Sequence, residues 1–435
     1  MIVDGVDWEA LPGADALGDE LHALMAELYP ICRSLTGDGV RETIGILQRE
    51  VPYETVEIPS GTSVYDWTVP REWNIRDAWI AGPDGERVVD FKDSNLHVLG
   101  YSVPVRERLS LEELREHLFT HPDNPDWIPF RTSYYNETWG FCLAGRQLDA
   151  LPDGTYEAVV DSTLADGSLT YAEASFAGKT PQEIFFSAYV CHPSLCNDNL
   201  SGVVLTHALA KYLGRMDLRY GYRFLLAPST IGPLCWLWKN EDSLDRIAGG
   251  LTISCAGDAG PPTYKQSRRG DAEVDRAAAN VMRSAEGRVI PFDPWGGNER
   301  QFCSPGFDLP IGVLTRSLHS EFVGYHSSAD NLDLVRPEYL ADSLLRCLEI
   351  VHVLETNGRY LNLNPKGEPQ LGKRGLYRSI AGGTSTEEAL LWVLNFSDGD
   401  HTLLDISDRS GISYRTILEA ADALREAELL REVGT

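Results

Sequence analysis

One stretch in the middle of the chain limits its fold more than any other, because polar residues there join a buried strand to a helix. The run 184–190 is apolar and rich in β-forming residues, and Leu205 and Leu209 mark one face of the helix that follows. His192 and Asp198 lie between these two elements. Ligands of open α/β sheets bind at this carboxyl edge of the strands. The pattern therefore predicts an α/β domain with a site at that edge.

His192 and Asp198 have two interpretations. An imidazole and a carboxylate at the edge of a sheet are suitable zinc ligands, since zinc binds both histidine nitrogen and aspartate oxygen. Alternatively, His192 packs beneath the edge and Asp198 caps the helix predicted over residues 200–214. Their spacing alone does not decide between a metal site and a structural role.

Further segments resemble the zinc aminopeptidase site of the co-catalytic exopeptidase superfamily. His192 followed by Asp-Asn-Leu-Ser-Gly at 198–202 is similar to that superfamily's first metal-binding element, in which the aspartate bridges two ions. Asp258 follows a strand-like run at 250–254, as the middle aspartate does there. His326 lies in a Tyr-His-Ser-Ser-Ala-Asp segment that resembles the element supplying the last imidazole.

The whole chain also resembles a bacterial family of aminopeptidase-like proteins that carry a small inserted domain and a C-terminal winged helix. The segments that carry this resemblance are 67–74, 133–135, 139–142 and 300–306. It extends over nearly all of the chain. It implies a zinc-dependent hydrolase that acts on a small amide or peptide containing an amino acid.

The resemblance also implies how the ligands are shared between two ions. One ion takes His192, Asp198 and Asp258, whereas the other takes Asp198, a glutamate and His326. Three ligands with an open fourth position suit a catalytic zinc, but two ligands are too few for tight binding. We therefore expect one tightly bound zinc ion, with His326 as a second-site ligand or an oxyanion donor.

Ser229 departs from the resemblance at the position of that glutamate. The chain has Ala-Pro-Ser-Thr-Ile-Gly over 227–232, where the nearer family has Pro-Glu-Thr-Ile-Gly. A serine hydroxyl does not ionise near neutral pH, and general-base assistance contributes roughly a hundredfold to ten-thousandfold in rate. Ser229 therefore marks a missing catalytic base.

Two carboxylates are candidates to replace this base. Glu299 follows Asn298, which stands where the nearer family often has aspartate, and Glu321 precedes His326 by a few residues. The alternative, which the sequence favours, is that Glu299 and Glu321 are surface or salt-bridging residues. Cys191 and Cys196 flank the site, but the histidine and aspartate set accounts for a metal without them.

The altered position leaves three functions open. The first is hydrolysis of a small amino-acid-containing amide. The second is a non-hydrolytic biosynthetic reaction, such as amide formation or cyclisation, with one metal as a Lewis acid. The third is a non-catalytic binding protein.

At 435 residues, the chain is long enough for two or three domains. We predict a mixed-sheet α/β core of the aminopeptidase-like (phosphorylase/hydrolase) type over residues 1–60 and 153–365. A small β-rich domain over 61–152 is inserted into it, and its tryptophans are expected mostly in its core. A winged helix-turn-helix domain over 366–435 follows.

The predicted winged helix has an acidic surface. Residues 371–435 contain 7 Lys and Arg against 11 Asp and Glu, and the whole chain carries a formal charge of −27. DNA-binding modules instead carry a basic stripe. We therefore expect no nucleic-acid partner, and favour packing in a homo-oligomer or a lid beside the site.

The remaining expectations concern location. The first residues have neither the basic nor the apolar region of a signal peptide. No apolar run reaches the roughly 18 residues that a membrane-spanning helix requires. We expect a cytoplasmic protein without a membrane partner, whose eight cysteines are reduced.

Overall fold

Two helices and one strand begin the α/β domain. The computed structural model describes residues 2–3, 6–7, 11–376 and 385–433. The first elements are β1 (Ile2–Val3), β2 (Val6–Asp7), α1 (Ala14–Leu28), α2 (Asp38–Leu47) and β3 (Glu54–Pro59). Gly37 precedes α2 with φ 95°, and a Cβ there would lie 2.2 Å from the carbonyl oxygen of Trp73. Only glycine fits this close approach of the core to the inserted unit.

The inserted unit is built on an antiparallel sheet. Its elements are β4 (Ser63–Val64), β5 (Trp67–Thr68), β6 (Glu72–Ala81), β7 (Arg87–Asp90), β8 (Val105–Ser110), α3 (Leu111–Arg115), β9 (Leu118–Phe119), β10 (Phe141–Cys142), α4 (Gly145–Asp149) and β11 (Thr155–Ala165). The four-stranded sheet has the order β7-β6-β11-β8. Since β11 begins at Thr155, this sheet extends past the predicted boundary at residue 152. Trp73 and Trp139 are buried, whereas Trp67 is 40 % exposed.

The second part of the chain completes the α/β domain. Its elements are β12 (Ser168–Phe176), β13 (Glu183–Tyr189), α5 (Ser201–Leu213), β14 (Gly221–Ala227), α6 (Ile231–Asn240), β15 (Ile247–Ile253), β16 (Thr263–Lys265), α7 (Glu273–Ser284), β17 (Arg288–Ile290), α8 (Glu299–Phe302), β18 (Ile311–Thr315) and α9 (Pro337–Thr356). The eight-stranded sheet has the order β17-β16-β18-β15-β13-β14-β12-β3. Its four central strands, from β18 to β14, are parallel.

Burial explains why the central strands are apolar along their whole length. Every residue of β14 and nearly every residue of β13 is buried, as expected for parallel strands covered on both faces. One apolar cluster joins α1, α5 and α9, and another joins α6 to the inserted sheet. The predicted mixed α/β fold is confirmed.

The last unit packs against the α/β domain. It comprises β19 (Arg359–Asn362), α10 (Ser385–Phe396), β20 (Asp398–Thr402), α11 (Leu403–Ser410), α12 (Tyr414–Glu426) and β21 (Leu430–Val433), with strand order β20-β19-β21. Arg276 of α7 lies 2.8 Å from Asp405 and 3.0 Å from Asp408. Asn280 donates a buried hydrogen bond to Ser407 at 2.8 Å. The predicted winged helix is confirmed, and its first strand lies before residue 366.

Among the helices in the described ranges, none combines the length and the apolar character needed to cross a bilayer.

Candidate metal centre

Two histidines and an aspartate converge at the carboxyl edge of the central sheet. His192 follows β13, Asp198 lies in the turn before α5, and His326 lies between β18 and α9. One ligand atom from each lies within 4.8 Å of the others. Asp198 Oδ2 is 2.9 Å from His326 Nε2 and 3.8 Å from His192 Nε2. We call these three residues the triad.

The two oxygens of the Asp198 carboxylate have different surroundings. The Tyr189 hydroxyl donates to Oδ1, whereas Oδ2 is buried and receives no well-directed hydrogen bond. Asp330 fixes the turn beneath it, because its carboxylate accepts from the backbone N–H of Asn197 at 2.6 Å and of Asp198 at 2.9 Å. A buried acceptor without a donor is costly unless another group satisfies it.

The protonation states of the triad favour a cation. Burial is the main cause that lowers the pKa of His192 to about 4, so its imidazole is neutral near pH 7. For Asp198, burial opposes ionisation, but the neighbouring His192, His326 and His319 together hold its pKa well below the usual range. Burial also raises the pKa of Tyr189 well above its ordinary value, which keeps its hydroxyl a donor.

A buried arginine holds the backbone of His192. Arg33 is 2 % exposed, and its Nε donates to the His192 carbonyl at 2.8 Å. Its Nη2 donates to the Pro193 carbonyl at 3.1 Å, and its Nη1 donates to the Leu28 carbonyl at 2.7 Å. Burial lowers the Arg33 pKa to about 10, so the guanidinium stays charged near neutral pH. It therefore ties α1 to the loop that presents His192.

The inserted unit covers the triad. The Phe130 ring lies 5.1 Å from that of His192 and 5.2 Å from that of His326. The Phe130 N–H donates to the His326 carbonyl at 2.7 Å, and the Ser328 N–H donates to the Ile128 carbonyl at 2.8 Å. On its other side, His326 stacks on Tyr325 at 3.9 Å. Aromatic rings thus shield the two imidazoles.

Asp258 lies at the same edge but outside the triad. Its Oδ2 accepts from Asn197 Nδ2 at 2.6 Å, and its Oδ1 accepts from the Gly260 N–H at 2.6 Å and from the Ser317 hydroxyl at 2.9 Å. Both oxygens are therefore used to fix neighbouring loops. The structure brings His192, Asp198 and His326 within 4.8 Å of one another. Asp258 lies at the same edge outside this group, and its role as a metal ligand stays a prediction.

Ser229 lies on the turn after β14, next to the triad. Its N–H donates to the Cys191 sulfur at 3.2 Å, directly before His192. The following Thr230 has φ 66°, and its N–H donates to Asn298 Oδ1 at 3.2 Å. Burial raises the pKa of the Cys191 thiol to about 12, which keeps it protonated. The turn thus holds the backbone of Ser229 against Cys191, the residue before His192.

The two candidate replacement bases occupy different surroundings. Glu299 is 1 % exposed and pairs with Lys265 at 2.6 Å, so it is salt-bridged but not at the surface. The Glu321 side chain is 49 % exposed, and it lies 4.0 Å from Arg288. Neither glutamate belongs to the triad.

Sequence reasoning missed the residues that position the triad. Tyr189, Asp330, Arg33 and Phe130 contact it or its backbone, and His319 Nε2 lies 3.4 Å from the Tyr189 hydroxyl. Asp330 lies in the same segment as His326, and this proximity in sequence could have predicted that it lies near the site. Phe130 belongs to the inserted unit, and nothing local in the sequence links it to residues 192 or 326.

The triad fits a divalent transition metal. Two imidazole nitrogens and a carboxylate oxygen form a donor set of the kind that binds catalytic zinc and leaves a fourth position open. The buried, unsatisfied Asp198 Oδ2, which faces both imidazoles, is the observation that supports this fit. The Tyr189 hydrogen bond to the other oxygen is the type of outer contact that orients a ligating carboxylate.

Comparisons with known proteins agree with this architecture. Residues 22–357 match the family model described as a domain of unknown function (DUF4910), and residues 358–432 match a winged helix-turn-helix model. A Clostridium acetobutylicum protein named "Putative polysaccharide biosynthesis protein with aminopeptidase-like domain" is 52 % identical over 421 residues, which cover 96 % of this chain and 97 % of that protein.

Solved structures show the same fold. The crystal structure titled as a "putative peptidase" from Clostridium acetobutylicum is 50 % identical, with a TM-score of 0.92 and 97 % coverage of both chains. A zinc aminopeptidase from Bacillus subtilis is 10 % identical, with a TM-score of 0.54 and coverage of 78 % of this chain and 94 % of that one. An M28 peptidase precursor from Shewanella amazonensis is 14 % identical, with a TM-score of 0.54 and coverage of 79 % and 96 %.

The distant structures share the aminopeptidase fold, and the near relatives match this chain along almost its whole length. The chain therefore belongs to the DUF4910 family, in which an aminopeptidase-like α/β domain is followed here by a winged helix.

Proposed function

We propose that this protein is a zinc-dependent hydrolase of the aminopeptidase type, acting on a small amide or peptide that contains an amino acid. His192, Asp198 and His326 hold one ion. The observation that carries this proposal is the buried, unsatisfied Asp198 Oδ2 between two imidazoles. The aminopeptidase-like fold supports the hydrolase class.

The chemistry divides between the ion and the chain. When bound, zinc polarises a substrate carbonyl and lowers the pKa of a water molecule. Tyr189 holds the Oδ1 atom of Asp198 and so directs Oδ2 toward the imidazoles. Phe130 contacts both imidazole rings, and Tyr325 stacks on that of His326. These contacts hold the two rings in position beside Asp198.

Because position 229 is a serine and not a glutamate, we expect a lower rate of hydrolysis than in a site that has its general base. No carboxylate is available at that position to accept a proton from water. A site without its general base loses roughly a hundredfold to ten-thousandfold in rate. We therefore expect slow hydrolysis by the parent protein.

Ser229 also favours a second candidate function. A reaction that forms or cyclises an amide is harmed by a residue that activates water, so a serine suits it better than a glutamate. The relative of 52 % identity is named as a polysaccharide biosynthesis protein, which is consistent with a synthetic role. This second candidate uses the same triad and the same ion.

The test combines metal analysis with a panel of amino-acid amides. Purified parent protein is dialysed without chelator, and zinc content and hydrolysis are measured beside His326→Ala and the control His401→Ala. His401 lies on β20 of the winged helix, far along the chain from the triad. We expect about one zinc ion and slow hydrolysis in the parent and the control, and neither in His326→Ala.

The other outcomes are equally informative. If the parent protein retains zinc but hydrolyses no amide of the panel, the biosynthetic function is favoured over hydrolysis. A parent protein that retains no zinc would contradict both and indicate a binding protein.

A further inference from the structure

A cavity of about 410 Å³ lies beside the triad. Its floor is formed at the ends of β15 and β18 by Ser254, Val313 and Thr315. His319 lines the cavity, and its Nε2 is 3.4 Å from the Tyr189 hydroxyl that donates to Asp198. His319 and Tyr189 therefore lie between this cavity and Asp198, the candidate metal ligand.

The wall of the cavity holds a buried carboxylate that is only half satisfied. Lys265 Nζ donates to Glu299 Oε1 at 2.6 Å and to the carbonyl oxygens of Asp293 and Trp295 at 3.0 and 3.1 Å. These contacts use all three protons of the ammonium group. Glu299 Oε2 is buried and has no hydrogen-bond partner in the described structure, although the residue is only 1 % exposed. A buried acceptor of this kind calls for a donor from a ligand.

Gly297 keeps side-chain atoms away from Glu299 Oε2. A Cβ at this position would lie 3.3 Å from Glu299 Oε2 and 3.5 Å from His319 Nε2. A methyl group at residue 297 would therefore press directly against the carboxylate oxygen that has no partner and against the histidine next to Tyr189.

The charges of the lining favour a cation. Lys265 is opposed by Glu299 and by Asp293 and Glu321, which also line the cavity. Trp295 lies at the same cavity and is 77 % exposed, so its ring face is free to contact a cation. The cavity thus has more carboxylates than cations, a buried carboxylate oxygen without a partner and an exposed indole ring. These features suit a protonated amine better than an anion or an alkyl chain.

We propose that this cavity binds a protonated primary amine that the substrate carries away from the bond to be broken, with Glu299 as the residue that determines this specificity. The proposal rests on the proposed function only in treating the cavity and the triad as parts of one substrate site. Glu299 is thereby assigned to recognition rather than to the role of general base.

The experiment measures amine binding without turnover. Calorimetric titration of the full-length protein with n-butylamine at pH 7.5 is compared with titration of the neutral isostere n-butanol. Variants are Glu299→Gln, which removes the charge, and Gly297→Ala, which fills the space beside Oε2 and keeps the charge. The matched controls are Asp161→Asn, whose side chain is 44 % exposed and pairs with Arg76, and Gly45→Ala, whose Cβ would contact nothing within 4 Å.

We expect n-butylamine to bind at least about fivefold more tightly than n-butanol, and both cavity variants to lose that preference. Both controls are expected to keep it. Glu299→Gln leaves Lys265 buried without its charged partner, and this variant could fail to fold. In that case Gly297→Ala still decides the test, because it keeps the ion pair. Equal affinity for the amine and the alcohol, or unchanged amine binding in folded Gly297→Ala protein, would overturn the proposal.

The two proposals fail in different ways. Amine binding in a protein that holds no zinc and cleaves no amide would overturn the proposed hydrolase and leave the cavity assignment standing. The reverse outcome has two parts: zinc-dependent hydrolysis that does not distinguish aminoacyl amides with cationic side chains from those with neutral ones, and no binding of n-butylamine. That outcome would support the proposed hydrolase and overturn the cavity assignment.

Discussion

At the scale of single residues, the two oxygens of Asp198 have different surroundings. Oδ1 accepts from Tyr189, and Oδ2 faces His192 and His326 without a well-directed donor. The sequence motif predicted the aspartate and both histidines as ligands, and the structure brings these three side chains together. Sequence could not separate them from Asp258, because a carboxylate that ligates a metal and one that fixes loops look identical in sequence. In the structure both oxygens of Asp258 accept hydrogen bonds from neighbouring groups, which leads us to predict the second role for it.

The first prediction separates these two aspartate roles. His192→Ala or His326→Ala should abolish zinc retention, because each removes one of three ligands and two are too few for tight binding. Asp258→Asn should keep most of the zinc, since its carboxylate holds Asn197 and Ser317 rather than the triad. Elemental analysis after dialysis measures both. Zinc loss in folded Asp258→Asn equal to that in His326→Ala would restore Asp258 as a ligand.

The second prediction concerns Tyr189. Tyr189→Phe keeps the ring and removes only the hydroxyl that orients Asp198. Removal of an outer contact of this kind lowers metal affinity by roughly tenfold to a hundredfold. Competition with a chelator of known affinity measures the change, and Tyr325→Phe, which keeps the stack on His326, is the control. Equal zinc affinity in Tyr189→Phe and the parent would contradict this positioning role.

At the scale of elements, the four parallel strands deliver their following loops to one edge. This part could be predicted from sequence, because apolar runs of strand length each ended in polar residues at 191–198, 228–230 and 256–258. The inserted unit was harder to delimit. β11 follows the loop at 152–154, yet it pairs with β6 and β8, and pairing between residues far apart in the chain has no local signal.

The third prediction uses the turn after β14. Ser229→Glu restores a carboxylate at the position where the resemblance places the base, and should raise amide hydrolysis by roughly a hundredfold or more. Repulsion by Asp198 and Asp258 raises the pKa of the new carboxylate if only one ion binds, so rates are compared at several pH values with excess zinc.

Ser229→Ala is the matched control for this experiment. It removes the hydroxyl and keeps the N–H that donates to Cys191, so we expect parent-like rates. A Ser229→Glu protein that gains no activity at any pH would favour the biosynthetic function over hydrolysis.

At the scale of the whole molecule, ionic contacts join the units. Arg41 of α2 pairs with Glu57 of β3 at 3.1 Å and with Glu72 of β6 at 2.7 Å, and so links the core to the inserted sheet. The winged helix is joined to α7 through Arg276 and Asn280. That contact lies within one chain, so packing in a homo-oligomer and the absence of a nucleic-acid partner both stay predictions.

The fourth prediction follows from the Arg41 contacts. The hydrogen bond from Arg41 is the largest cause that lowers the pKa of Glu72, to about 2. Since the folded pKa lies below the ordinary value of 4.5, this stabilisation is fully present above pH 4.5 and is lost as pH falls toward 2. Because both side chains are partly exposed, solvent limits the contribution to about 1 kcal/mol.

Urea unfolding of the parent and Glu72→Gln between pH 7 and pH 3 measures this contribution. The difference in free energy of unfolding should be largest above pH 5 and shrink below pH 4.5. The exposed Glu116, substituted by Gln, serves as the control and should give a small difference at every pH. A difference between parent and Glu72→Gln that grows as the pH falls would contradict the assignment.

The backbone hydrogen bonds between residues 128–130 and 326–328 have a consequence for how the protein responds to metal. The loop that carries His326, a proposed ligand, is thus held by the inserted unit itself. If an ion bound to His326 stabilises the same loop conformation as these hydrogen bonds, the two effects would support each other by the same factor. We therefore expect loss of the metal to weaken the contact between the inserted unit and residues 326–328.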